Sequence, residues 1–533
     1  MNSSRSPYGS AAPWLAIAPA LLLLVFFVWP LAGIVARGAS GASGAAFATL
    51  FANPAIAPVL WFTVWQALAS TLLTLVVALP VTHILARYHF AGRRLLLAMV
   101  STAFVLPTVV VGAAFLALLP PAWHRTVWAI IAAHVYFNSA VVVRVVGSRW
   151  EQLHPHMADA ARTLGASPLR ILRTITLPLL CSALGAAGAV VFLFSFTSYG
   201  VVRVLGGPAR STIETEIYLR AVQLDDLGGE TAHSVLQLVG LGLLLWWWLR
   251  SAAARQSPPG TIFTQVRRPR SAAAFAAVYG IGTLAAAGVL APLLALLLRS
   301  LRVGGTLSIA GWRAAFTPGL QSVVPAPFAA VLTSLQFALA TSVCATLFGL
   351  AAASAIAYGS RRLVLFEAFV MLPLAASAVT LGLGMLITFD EAPLDFRGAW
   401  IIMPLAHSLI ALPLVVRMLL PVVRAVPQGA REAAAVLGAA PWQVWFSIDR
   451  PLVARAALAA AAFAFAVSLG EFGASSFLTR RTTETLPVAI SRLLARPGDL
   501  VQAQGYVLAT LLVLLTVSAI AAVDGLRPDR LAI

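Results

Sequence analysis

Lysine is absent from all 533 residues, so the 36 basic side chains are arginines. A Walker A loop needs a lysine to reach the β and γ phosphates of a nucleotide, and the chain therefore has no such loop of its own. Cysteine is nearly absent as well: Cys181 and Cys344 stand far apart in apolar stretches, form no metal-ligand spacing and read as packing residues. The eight histidines are scattered and no HExxH occurs, so neither a metal site nor a catalytic constellation is expected, and no cofactor. Charged residues make up only 10% of the chain against 60% apolar, with a mean hydropathy of +0.91. That balance lies outside the range of soluble domains, and many segments approach the roughly 20 apolar residues that cross a bilayer. The chain reads as an all-α polytopic membrane protein. Its net charge of +18 would suit nucleic acid, but arginines gathered between apolar spans are expected of cytoplasmic loops. The charge is therefore read as topology, with membrane lipid and not nucleic acid as the surrounding partner.

Hydropathy places a first span near 14–35, too long and too weakly followed by cleavage signals for a signal peptide. Further spans fall near 60–85, 95–118 (carrying Pro107), 127–146, 182–202 and 232–249. Residues 251–270, with Pro258, Pro259, Arg267, Arg268 and Arg270, break the pattern as a linker. The second half has spans near 272–298, 328–357, 363–388, 399–420, 456–478 and 503–523, about twelve in all. The expected divisions are 1–57, an N-terminal helix and outer segment; 58–250, a first transmembrane domain; the linker; 271–327, a seventh helix and outer segment; 328–524, a second transmembrane domain; and a tail, 525–533.

One polar stretch occurs twice. Asp159-Ala160-Ala161 is followed by Gly165 and, thirteen residues after that glycine, by Pro178; Glu432-Ala433-Ala434, Gly438 and Pro451 repeat it 273 residues later. Each reads as a short helix, a turn and the start of another helix, lying between apolar spans. An acidic residue near a helix N-terminus favours the dipole, which would explain one copy but not two with identical internal spacing. His134, Arg144, Ser195, Gly200, Thr212 and Ile217 recur at the same offset as His407, Arg417, Ser468, Gly473, Thr485 and Ile490, and Gln66 and Tyr88 match Gln336 and Tyr358 at 270. The chain reads as a tandem of two related halves. With six spans each, the halves share one orientation, related by an axis along the membrane normal.

The repeated stretch resembles the EAA loop of permease subunits in binding-protein-dependent ABC importers of type I, the loop whose helix docks on the ATPase subunit. Asp159 stands for the usual glutamate, and Arg450 for the leucine that usually precedes the proline. The resemblance covers nearly the whole chain, and the fused length with Gly206-Gly207-Pro208 to Tyr218 and Ser468 to Gly473 looks like the permeases of thiamine and ferric-iron importers. It implies the type I importer permease fold and no chemistry in the chain itself. It also implies ABC ATPase subunits, two copies, as partners that hydrolyse ATP, and an extracytoplasmic solute-binding protein. Asp159, Ala160, Ala161, Gly165, Pro178, Glu432, Ala433, Ala434, Gly438 and Pro451 would carry the ATPase contact. The resemblance implies the bacterial inner membrane with both loops on its cytoplasmic side; arginine placement agrees for the linker and both termini, although Arg480, Arg481, Arg492 and Arg496 then lie outside, so the loops are the stronger constraint.

Pathway residues are sought among polar groups inside spans, where a carboxylate is costly. Glu471 is the clearest, with Ser198 as its first-half counterpart and Ser468, His134, His407 and Asn138 beside them. The competing reading makes Glu471 the cap of a broken helix. Residues 206–218 read as an outer turn and capped helix start that would meet the binding protein. The rival function is a secondary transporter driven by an ion gradient, with Glu471 and the histidines as a proton relay; such a protein has no reason to duplicate the acid-Ala-Ala-x3-Gly helix. Thiamine is slightly favoured over ferric iron as the solute, while the Ser468–Gly473 stretch is also similar to oxyanion permeases.

Overall fold

The computed structural model describes residues 12–39, 56–207, 210–224, 233–242, 268–317, 327–359, 363–390, 396, 398–480 and 482–525. Most of the linker, the C-terminal tail and Arg481 lie outside these residues. Among them, nine helices are long and apolar enough to cross a membrane. Two further pairs, Arg93–Val105 with Thr108–Leu118 and Leu365–Leu374 with Ala378–Thr388, pass the same test together but are bent by 108° and 97°. The remaining expected span, 232–249, is described as helix over 233–242 only.

The packing inverts that of a soluble domain. In Ile56–Arg87, Leu72 and Val76 are exposed while Thr63, Gln66, Ser70, Thr74 and Thr82 face inward. Lipid is as apolar as leucine, so small and polar residues, which allow close approach and hydrogen bonding, take the interior. Threonine pays its own polar requirement there: Thr63, Thr71, Thr74 and Thr82 each donate to the carbonyl four residues back, at 2.6–2.8 Å.

Two units result, one from 1–52, 216–238 and 300–533, the other from 53–215 and 239–299. The first helix therefore packs with the second half of the sequence. Leu22, Leu23 and Phe27 share a core with Phe337, Phe389, Ile402 and Leu412, and the Phe26 and Phe389 rings are 5.3 Å apart. Correspondingly, Val278 of Ala272–Ser300 joins Ile84, Leu96, Val100 and Ala140, and the Tyr136 hydroxyl donates to Val289 O at 3.2 Å. Hydropathy has no long-range term, so the sequence carried no sign of this exchange of helices.

Four expected spans are broken. The 95–118 and 363–388 spans bend at Leu106–Pro107 and after Ala375, where extended residues interrupt the helix. The 182–202 and 456–478 spans stop at Phe196 and Gly470, and short helices Gly200–Leu205 and Gly473–Leu478 follow. Each short helix packs on the second limb of a bent pair. A Cβ at Gly200 would stand 2.2 Å from Thr108 Oγ1, and one at Gly473 2.9 Å from Ala378 Cβ, so glycine at both positions is a packing requirement.

The inward faces also correct one match between the halves. Thr63, Ala67, Ser70, Thr74 and Ala78 correspond in burial to Ser334, Ala338, Thr341, Ala345 and Gly349, an offset of 271. Buried Gln66 thus stands where Phe337 does, while Gln336 is exposed, and Arg87 rather than Tyr88 stands where Tyr358 does. Cys181 is exposed and does not pack in the interior.

Candidate functional site

The two repeated stretches fold alike. Pro155–Thr163 begins with proline at a position whose missing N–H costs nothing and ends at Gly165, with φ of 79°. There Gly165 N donates to Arg162 O at 2.9 Å and Ala166 N to Ala161 O at 3.0 Å, the paired bonds of a Schellman ending, which needs a left-handed residue. Gln428–Val436 ends in the same way at Gly438, φ 84°, with Gly438 N to Ala435 O and Ala439 N to Ala434 O at 3.0 Å each. Asp159 pairs with Arg162 at 2.6 Å, and Glu432 accepts from Gln428 at 2.8 Å. Ala160 and Ala433 are exposed, whereas Ala161 and Ala434 are half-buried. The turns present bare apolar side chains: Leu164, Val436 and Leu437 are each 87% exposed. Each short helix thus ends in a fixed turn whose apolar tip is not covered by the rest of the chain, among the described residues.

Beyond each turn the chain re-enters the bilayer through a π-helical turn, Leu172–Thr176 or Trp445–Asp449. Leu177 N donates to Leu172 O and Arg450 N to Trp445 O, five residues back. Pro178 and Pro451 follow at once. A proline has no N–H and its ring crowds the carbonyl four residues earlier, and widening the preceding turn relieves that crowding while the helix continues. The N-terminal helix shows the same device, with a π turn over Leu24–Val28 before Pro30.

The candidate pathway residues form one buried polar cluster in each unit. In the first, His134 bridges Ser70 (3.0 Å) and Ser198 (2.8 Å), Asn138 donates to Ser195 Oγ at 3.3 Å, and Gln66 donates to Ser195 O at 2.8 Å. Asn138 Oδ1 and Gln66 Oε1 have no partner among the described residues. In the second, His407 bridges Ser468 (2.7 Å) and Ser475 (3.0 Å). Glu471 is 7% exposed. Its carboxylate accepts from Ala474 N (2.8 Å), Ser475 N (2.9 Å) and Ser475 Oγ (2.8 Å), with His407 Nε2 at 3.3 Å. Glu471 thus caps the Gly473–Leu478 helix after a break, and its oxygens are occupied by the protein. Gln66, Ser70, Ser475 and Thr341, which accepts from Ser468 Oγ at 3.3 Å, belong to these clusters and were not among the site candidates read from the sequence. For Gln66 and Ser70 the signal was present, polar residues recurring three or four apart with Thr63 and Thr74 on one side of an apolar helix; Thr341 had no such pattern, and Ser475 lies beyond a helix break on a short helix of its own.

The 206–218 stretch contains the helix Ile213–Tyr218, but Thr212, Ile213, Glu214 and Ile217 are buried, so this face is not free for a partner. Pro208 and Ala209 lie outside the described residues. Among the described residues no group of His, Cys, Asp or Glu is placed to hold a metal ion.

Residues 78–224, which include the first loop, match the family described as binding-protein-dependent transport system inner membrane component. Over 462 residues the chain is 26% identical to the thiamine transport system permease protein ThiP of Brucella abortus, covering 82% of each. It is 25% identical to the probable ABC transporter permease protein y4fN of Sinorhizobium fredii, covering 81% of each. The sulfate transport system permease protein CysT of Salmonella typhimurium is 29% identical over 42% of this chain and 86% of its own.

Proposed function

We propose that this chain, the multi-pass inner-membrane permease subunit of an ABC importer for a small solute, carries thiamine inward. The observation that supports thiamine most is coverage. ThiP proteins match 82% of the chain, both halves together, whereas the sulfate permease matches 42%, one half. Like other permeases of its class it works with an ABC ATPase and a binding protein and is not itself an enzyme. Two ATPase copies would grip the two loops, through Asp159 to Gly165 and Glu432 to Gly438, with both loops and both termini cytoplasmic. ATP-driven closure of the ATPases would move these helices, and Pro178 and Pro451, each set after a π turn at a membrane entry, would carry the movement into the spans. The halves would then alternate the side to which a central path opens.

Glu471, Ser198, Ser468, His134, His407 and Asn138 serve this reading as rigid supports of the broken helices that border such a path. The fully engaged Glu471 carboxylate favours that role over direct cation contact. A second reading, an oxyanion as solute, has the sulfate permease and a 2-aminoethylphosphonate permease (26% identical) in its favour. Uptake of labelled thiamine, sulfate and ferric iron into proteoliposomes holding the complete importer separates these. The proposal expects ATP-dependent uptake of thiamine alone. Sulfate uptake would establish the second reading, ferric uptake would move the solute to iron, and uptake driven by a proton gradient without ATP would overturn the importer itself.

A further inference from the structure

The two loops differ in one respect that their shared motif hides. Arg431, immediately before Glu432, is 6% exposed, and Asp449, the last residue of the π turn, 1%. Arg431 Nε donates to Asp449 Oδ1 at 2.9 Å, and its Nη2 donates to the same oxygen, to the Tyr358 hydroxyl at 3.1 Å and to Val423 O at 3.4 Å. The Tyr358 hydroxyl in turn donates to Asp449 Oδ1 at 3.0 Å, and the guanidinium carbon lies 4.8 Å from the Tyr358 ring centre. One buried arginine therefore ties the Gln428–Val436 helix to three other elements: the end of Ala329–Tyr358, the last turns of Ile402–Ala425, and the π turn before Pro451.

The first half has no such residues to offer. At the positions of Arg431, Asp449 and Tyr358 stand Ala158, Thr176 and Arg87. Alanine has no donor, threonine no charge, and Arg87 donates to Leu153 O at 3.2 Å. An ion pair does occur at a similar place in both, with its charges exchanged: Arg93 with Glu151 at 3.0 Å, half-buried, and Glu367 with Arg424 at 3.3 Å, exposed. The difference lies in the buried arginine. A buried pair is costly to break because the remaining charge is stranded, and it fixes geometry more surely than a surface pair does.

We infer that Arg431, Asp449 and Tyr358 form a clamp that makes the second loop a rigid extension of its transmembrane helices while the first loop stays compliant. The two ATPase contacts are then mechanically unequal, and the second transmits most of the movement. Arg431 is a positioning residue in this account, and the unequal transmission rests on reading the loops as the ATPase contacts.

Hydrogen exchange on the purified permease alone tests the clamp without any ATPase. Amides of 428–437 should exchange roughly tenfold or more slowly than those of 155–164, since local opening of the second loop must break the buried pair. Arg431→Gln should remove the difference and Arg431→Lys should keep part of it; Tyr358→Phe, which deletes one hydroxyl, should fall between the native chain and Arg431→Gln. Equal exchange in the two native loops, or an unchanged 428–437 in Arg431→Gln, overturns the inference. In the complete importer, Arg431→Gln should keep its ATPase yet hydrolyse several times more ATP per solute delivered, with Arg431→Lys restoring the ratio in part; an unchanged ratio refutes unequal transmission. Failure of the native chain to bind any ATPase would instead sink the importer reading, and the exchange result would still decide the clamp.

Discussion

A side chain at position 165 or 438 would find open space around it and still not fit the backbone. Both glycines have φ near +80° with nothing within 4 Å of a Cβ, and a left-handed residue with a Cβ costs about 1–2 kcal/mol. Gly165→Val and Gly438→Val should therefore insert into the membrane normally and lose uptake, because the turn that aims the apolar tip is gone; normal uptake in both would contradict the assigned role. At Glu471 the decisive comparison is between two substitutions. Glu471→Gln keeps one of the two acceptor oxygens that Ala474 N and Ser475 N use, whereas Glu471→Ala strands both amides at about 1–3 kcal/mol for each unsatisfied group. Thermal unfolding should fall far more for the alanine variant, and equal losses would show that capping is not what Glu471 does. The glycines were legible in the sequence because the turn is local. Glu471 was legible as a costly carboxylate and, in the competing reading, as the cap of a broken helix, and the cap is what the structure shows; that His407 and Ser475 converge on it across the break was not, because no local pattern joins them.

Among the elements, apolar length showed where the spans lie but not that four of them break. Hydropathy hardly changes across Leu106–Pro107, and the breaks are packed by Gly200 against Thr108 and by Gly473 against Ala378, contacts with another element that apolar length does not register. The π turns before Pro30, Pro178 and Pro451 were likewise invisible as such, although the proline two residues on, whose crowding each relieves, is plain in the sequence. Removing one such proline gives a prediction. Pro451→Ala supplies an N–H and relieves the crowding, so the helix entering at 450 should hold or gain thermal stability by circular dichroism. A loss of several degrees would mean that the π turn is maintained by something other than the proline.

For the whole molecule, the halves of the sequence are not the packed units. The helix Pro13–Arg37 completes the unit of the second half, where Gly384 leaves room for Pro30 and Gly33 lies against Thr388. A chain lacking residues 1–40 should consequently show faster exchange over 378–388, and little change over 108–118, which lies in the other unit; protection lost equally in both segments would contradict this. The central claim is that the two repeated loops are where an ATPase takes hold. The most direct measurement is co-purification of the tagged chain from cells expressing its importer partners, after mild detergent extraction. An ATPase subunit retained by the native chain and lost from a variant carrying Asp159→Arg and Glu432→Arg is the predicted result. A native chain that purifies alone, or a double variant that keeps the ATPase, would contradict it.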